Sequence, residues 1–94
     1  MVMEVWGHMT DSFEDIAPSS LQLTGYDRSH IRLYARLMDA VADGVDWKEI
    51  VAALFGLDAA HQPERARNIF DSHLARARWV AANGYKDLLR TRGD

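Results

Sequence analysis

The residue types able to do chemistry in this 94-residue chain are few, and their spacing decides against most of it. His8, His30, His61 and His73 lie far beyond the roughly three to five residues that separate a helical or finger-type ligand pair. No cysteine is present to complete a zinc site. Glu14-Asp15 is a carboxylate pair without a partner, and neither Ser19-Ser20 nor Ser72 sits in a nucleophile elbow. No glycine-rich loop is available to cradle a phosphate. These residues predict no catalysis, no metal, no cofactor and no small-molecule substrate. What remains is a cluster of cations. Arg65, Arg67 and Asn68 could enter a DNA major groove, with Arg76 and Arg78 on its phosphates, because guanidinium and amide groups match base edges and phosphate oxygens.

Those side chains need a helix to present them. Pro63 suits the first position of a helix and Glu64 its first turn, where a carboxylate meets the positive end of the helix dipole. Ala66, Ile69, Phe70, His73, Leu74, Ala77 and Val80 then recur on one side, which makes His73 a packed core residue. Asn68, Ser72, Ala75 and Trp79 fall opposite. An outward Trp79 beside arginines is either a protein-binding patch or a residue covered by the N-terminal arm or the C-terminal turn. Asn83-Gly84 predicts a left-handed stop, and Tyr85, Leu88 and Leu89 a short apolar turn after it.

The preceding helix is delimited at both ends. Asp46 is placed to cap it, Glu49 to reach back to the cap backbone, and Gly56 to end it in the left-handed conformation. Trp47, Ile50, Val51, Leu54 and Phe55 share one face. The connection from Leu57 to Gln62 is longer than an ordinary helix-turn-helix turn and has no basic residue. Upstream, Asp27 is the expected N-cap of a helix running to about Asp43. Ile31, Leu33, Tyr34, Leu37, Met38 and Val41 give that helix a wide apolar arc. Arg28, Arg32 and Arg36 form a stripe continued by Asp39 and Asp43, which reads as a solvated face of mixed sign.

Leu37-Met38-Asp39-Ala40 before the Gly44 turn, Trp47-Lys48-Glu49-Ile50 running into Leu54-Phe55-Gly56, and Gly84-Tyr85-Lys86-Asp87-Leu88-Leu89 occur in that order within about sixty residues. In this order the chain resembles the RovC-type DNA-binding domain family from roughly Ser29 to Arg90. The resemblance implies an all-α, extended-turn helix-turn-helix with three main helices and a short C-terminal one. It also implies work in horizontal gene transfer. Members that activate transfer of mobile elements use a basic face for DNA and another face to hold a separate N-terminal domain. A standalone, acidic member acts oppositely, as an antiactivator occupying that N-terminal domain. It also resembles a binder of LuxR-type quorum-sensing regulators.

Charge placement separates these roles. Net charge is -3, and Glu4, Asp11, Glu14 and Asp15 give residues 1–26 a charge of -4 with no Lys or Arg. The rest therefore sums to +1. DNA-binding domains draw most of their affinity from uncompensated cations, and Asp58 and Glu64 stand where phosphates would approach. The expected organisation is an acidic, mobile arm over 1–26, with Leu21, Leu23 and Tyr26 as an anchor, and a helix-turn-helix domain over 27–94. The expected partner is the N-terminal domain of a transcriptional activator, held through Leu33, Tyr34, Leu37, Trp79 and Tyr85. DNA and membrane are not expected partners, and the absence of cysteine fits the cytoplasm.

Overall fold

A capping box at Thr24 opens the first helix, three residues earlier than the sequence suggested. In the computed structural model, which describes residues 13–84, the Thr24 hydroxyl accepts from the Asp27 amide while the Asp27 carboxylate accepts from the Thr24 amide. Asp27 is thus the third residue of a short helix, α1 (Gly25–Ser29), not the cap of a long one. The chain bends at His30, and α2 runs over Ile31–Ala42. Two helices replace the single one expected: the backbone leaves the helical conformation at His30, at φ -117° and ψ 19°.

The next two elements follow their local signals. Helix α3 covers Trp47–Phe55; Asp46 caps it by accepting from the Lys48 amide, and Gly56 closes it at φ 68°. The reciprocal bond expected from the Glu49 side chain does not form among the described residues. Helix α4 spans Pro63–Trp79 with Pro63 in its first turn. The 56–62 turn is ordered by Asp58. Its carboxylate accepts from the Ala60 amide, and its carbonyl accepts from the His61 and Gln62 amides. Beyond Trp79, α-helical bonding gives way to a π-helical turn, Val80–Gly84.

The fold is all-α, with α3, the long turn and α4 forming an extended helix-turn-helix buttressed by α2. One core cluster joins Leu37, Ile50, Val51, Phe55, Ala59, Ala66, Ile69 and Phe70; a second joins Tyr34, Ala77 and Val80. The buried side assigned to α4 from periodicity is the observed one, with Leu74 at its edge. Burial of these apolar side chains is the principal force holding the helices together. No helix among the described residues is long and apolar enough to cross a membrane.

Candidate functional site

Helix α4 is the element that would read DNA or present a partner surface, and its arginines have unequal fates. Arg76 is buried against α1. Its Nε donates to Asp27 Oδ1 at 3.0 Å and its Nη2 to Asp27 Oδ2 at 2.6 Å. Nη1 donates to the Ser20 carbonyl at 2.6 Å, Nη2 also to the Gln22 carbonyl at 2.9 Å, and the guanidinium lies 4.1 Å from the Trp79 ring centroid. Asp27 further accepts from the Tyr34 hydroxyl at 2.8 Å. Burial alone would raise the Asp27 pKa, but donors from Arg76, Thr24 and Tyr34 outweigh it and bring the carboxyl to about 2. A paired charge with every donor matched is the condition under which burial is tolerated.

Arg76 is therefore a staple, not a phosphate contact. It fastens the segment preceding α1, a strap from Phe13 to Leu23, across α4. Further along, the Ala17 amide donates to Ser72 Oγ, and the exposed Arg65 makes two bonds to Asp15, at 3.0 Å each. Arg65 keeps the Asp15 carboxyl below its usual range. The Phe13 ring meets Phe55 edge-on at 5.1 Å. The described part of the acidic arm is thus a packed element of the domain, contrary to the mobile arm expected over 1–26. Residues 1–12, including His8, lie outside the described residues.

The other arginines are also engaged or offset. Arg67 pairs with Asp71 one turn on, while its guanidinium lies 4.9 Å from the Trp47 ring centroid and 5.4 Å from that of Phe70. Arg78 and Asn68 are exposed. Across this face Arg65, Arg67 and Arg78 are matched in number by Asp15, Asp71 and Glu64, so it offers little net positive charge to a polyanion.

The proposed partner-binding residues divide similarly. Tyr34 and Leu37 are 3% and 0% exposed and cannot form a surface: Tyr34 serves Asp27 and Leu37 is the centre of the core. The apolar arc of the first long helix is wide because it packs against both α3 and α4. Leu33 is half-buried against the core, and Trp79 is half-buried with Arg76 stacked on its ring. Trp79 is therefore partly covered, neither fully outward nor core. Tyr85 lies outside the described residues. Met38, Val41, Ala42, Leu74 and Arg78 line a shallow groove of about 160 Å³ between α2 and α4. It is too small for a typical ligand, which occupies about 300–1,000 Å³, but large enough for a side chain.

His73, placed in the core by periodicity, is 0% exposed. Its Nδ1–H donates to the Ile69 carbonyl at 2.8 Å, so its bare Nε2 accepts from the Tyr26 hydroxyl at 2.6 Å. No group of histidines and carboxylates among the described residues could hold a metal. No family model and no curated protein matches the chain.

Proposed function

We propose that this chain is a protein-binding transcriptional regulator of the cytoplasm. It acts as an antiactivator that sequesters an activator of conjugative-element transfer by occupying the activator's N-terminal domain. The observation that carries this reading is the disposition of the α4 arginines. Arg76 is consumed by the Asp27 staple, Arg65 and Arg67 are held by carboxylates, Glu64 lies in the first turn of α4, and Asp58 lies in the turn before it. Of the two arginines suited to grip phosphates, Arg76 thus serves the protein itself, and Arg78 stays exposed. The RovC-type resemblance, and within it the likeness to the standalone antiactivator QseM, suggests the partner class. The groove between α2 and α4, lined by Met38, Val41, Ala42, Leu74 and Arg78, and the half-buried Trp79 are the apolar features offered to that partner.

The mechanism is competition. An activator with a paralogous helix-turn-helix docks its own domain against its N-terminal domain, and this chain offers an equivalent apolar face without a promoter-gripping one. A LuxR-type regulator is a further partner in this scheme. The test is calorimetry with the isolated N-terminal domain of such an activator, paired with a transcription reporter. Saturable binding and a falling reporter signal are expected. No complex, or a reporter that rises with the complex, overturns the proposal. Asn68 and Arg78 are the exposed polar side chains through which the DNA-binding alternative would have to act.

A further inference from the structure

The strap is fastened at two places by chemistry that responds differently to acid. Its C-terminal end is held by Arg76, whose partner Asp27 stays ionised until strongly acidic pH. Its N-terminal end is held through a hydrogen-bond chain: the Glu14 amide donates to Tyr26 Oη at 2.9 Å, and Tyr26 Oη–H donates to His73 Nε2. Beside it the Ala17 amide donates to Ser72 Oγ at 3.1 Å, and Phe13 packs edge-on against the His73 ring at 6.5 Å. We propose that His73 is an acid-sensitive latch: its neutral imidazole holds residues 13–17 against α4, and protonation releases them while the Arg76 staple retains residues 20–24.

The polarity of the chain carries the argument. Nδ1 is committed to the Ile69 carbonyl, so a proton can arrive only on Nε2, the atom that accepts from Tyr26. Protonation sets Nε2–H against Oη–H. Tyr26 must then rotate its proton away and accept from the imidazolium as well as from the Glu14 amide. The tyrosine proton is left without its acceptor, Oη must serve two donors at once, and a cation is created at a buried position. The groups facing His73 do little to rescue that cation. The strap brings Glu14 and Asp15, but Asp15 is already bonded to Arg65. Helix α1 and the bend after it bring Tyr26, Asp27 and His30, whose ring stacks on Tyr26 at 3.9 Å. Helix α3 contributes the Phe55 ring, 5.0 Å away, and α4 itself contributes Ser72 and Arg76.

The direction is consistent with this geometry. Burial, reinforced by His30 and partly offset by the Ile69 carbonyl and Asp15, holds His73 below its ordinary value of 6.5. The unfolded or released chain therefore binds the proton more readily. The latch is fully closed above about pH 6.5 and loses hold as pH falls from there toward the lower, folded-state value.

Amide hydrogen exchange on the whole chain between pH 7.5 and 4.5, corrected for intrinsic rates and read by NMR together with the His73 titration, tests the latch. The Glu14 and Ala17 amides should lose at least tenfold in protection as His73 takes up its proton, while the Thr24 amide, held by Asp27, keeps its protection. In His73→Gln that loss should vanish over the same range. In Tyr26→Phe, Glu14 and Ala17 should already exchange rapidly at pH 7.5, a readout that serves if the glutamine variant fails to fold. Protection that persists after His73 is protonated overturns the proposal. So does loss that tracks carboxylate titration instead, which would assign the hold to Asp15 and Arg65.

Discussion

Replacing Arg76 with leucine should remove about 3–5 kcal/mol of stability, the usual cost of leaving one member of a buried ion pair without its partner. Small domains have about 5–15 kcal/mol in total, so a drop in Tm of well over ten degrees is expected, with partial unfolding at room temperature. Besides stranding Asp27, the change removes donors from the Ser20 and Gln22 carbonyls and the cation over Trp79. Arg65→Leu provides the contrast on the same helix. Its bridge to Asp15 is half-exposed and solvent-screened, so the melting temperature should barely move. Thermal melts of the two variants check this directly. Equal effects would mean that the staple is no stronger than a surface bridge.

The staple also has a pH signature. Asp27 binds its proton near pH 2 when folded and near 3.8 when free, so the unfolded chain holds more protons between those values. The contribution of the pair is therefore intact above about pH 4 and is lost as pH falls from 3.8 toward 2. In Arg76→Leu the chief compensating donor is absent, so the folded-state value rises toward or above that of the free group, and this loss of stability in acid should shrink or reverse.

Leu37→Ala should cost about 2–5 kcal/mol, because the side chain is fully enclosed between α2, α3 and α4 and its removal leaves a cavity the helices cannot wholly close. Urea unfolding followed by circular dichroism measures this loss. Whatever fraction remains folded should bind the activator domain with wild-type affinity, since Leu37 reaches no surface. Tyr34→Phe removes one donor from a buried carboxylate and should cost about 1.5–3 kcal/mol. A Leu37→Ala variant that kept its stability but lost its partner would restore that residue to the interface and displace the packing described above.

The helix-turn-helix was legible because its signals are local. Asp46, Gly56 and Pro63 each act on the backbone within a few residues, and the α4 periodicity located Ile69, Phe70 and His73 in the core without knowledge of their neighbours. What escaped is non-local. Asp27 looks like a cap in the sequence, and its main partner in the interior is an arginine 49 positions away. Arg76 falls on a flank where arginines ordinarily keep their heads in water, so a helical wheel cannot distinguish the staple from a surface cation. The strap shows no period because it is fixed by backbone carbonyls and by single anchors such as Phe13 and Ala17. The Thr24–Asp27 spacing was one available clue, since a threonine followed three residues later by a carboxylate is the pattern of a capping box. The partner surface was the least legible part. An apolar arc on a helix has the same appearance whether it meets another helix of the same chain or a separate protein.

Three of the four arginines of α4 are paired with carboxylates of the same chain, and fluorescence anisotropy with labelled promoter duplex across a salt series tests most directly whether that leaves the helix unable to hold DNA. At about 50–200 mM salt the protein should show only weak binding, with a shallow salt slope and no preference for promoter over random sequence. Tight, saturable, sequence-dependent binding with a steep salt slope, abolished by substituting Asn68 and Arg78, would contradict it.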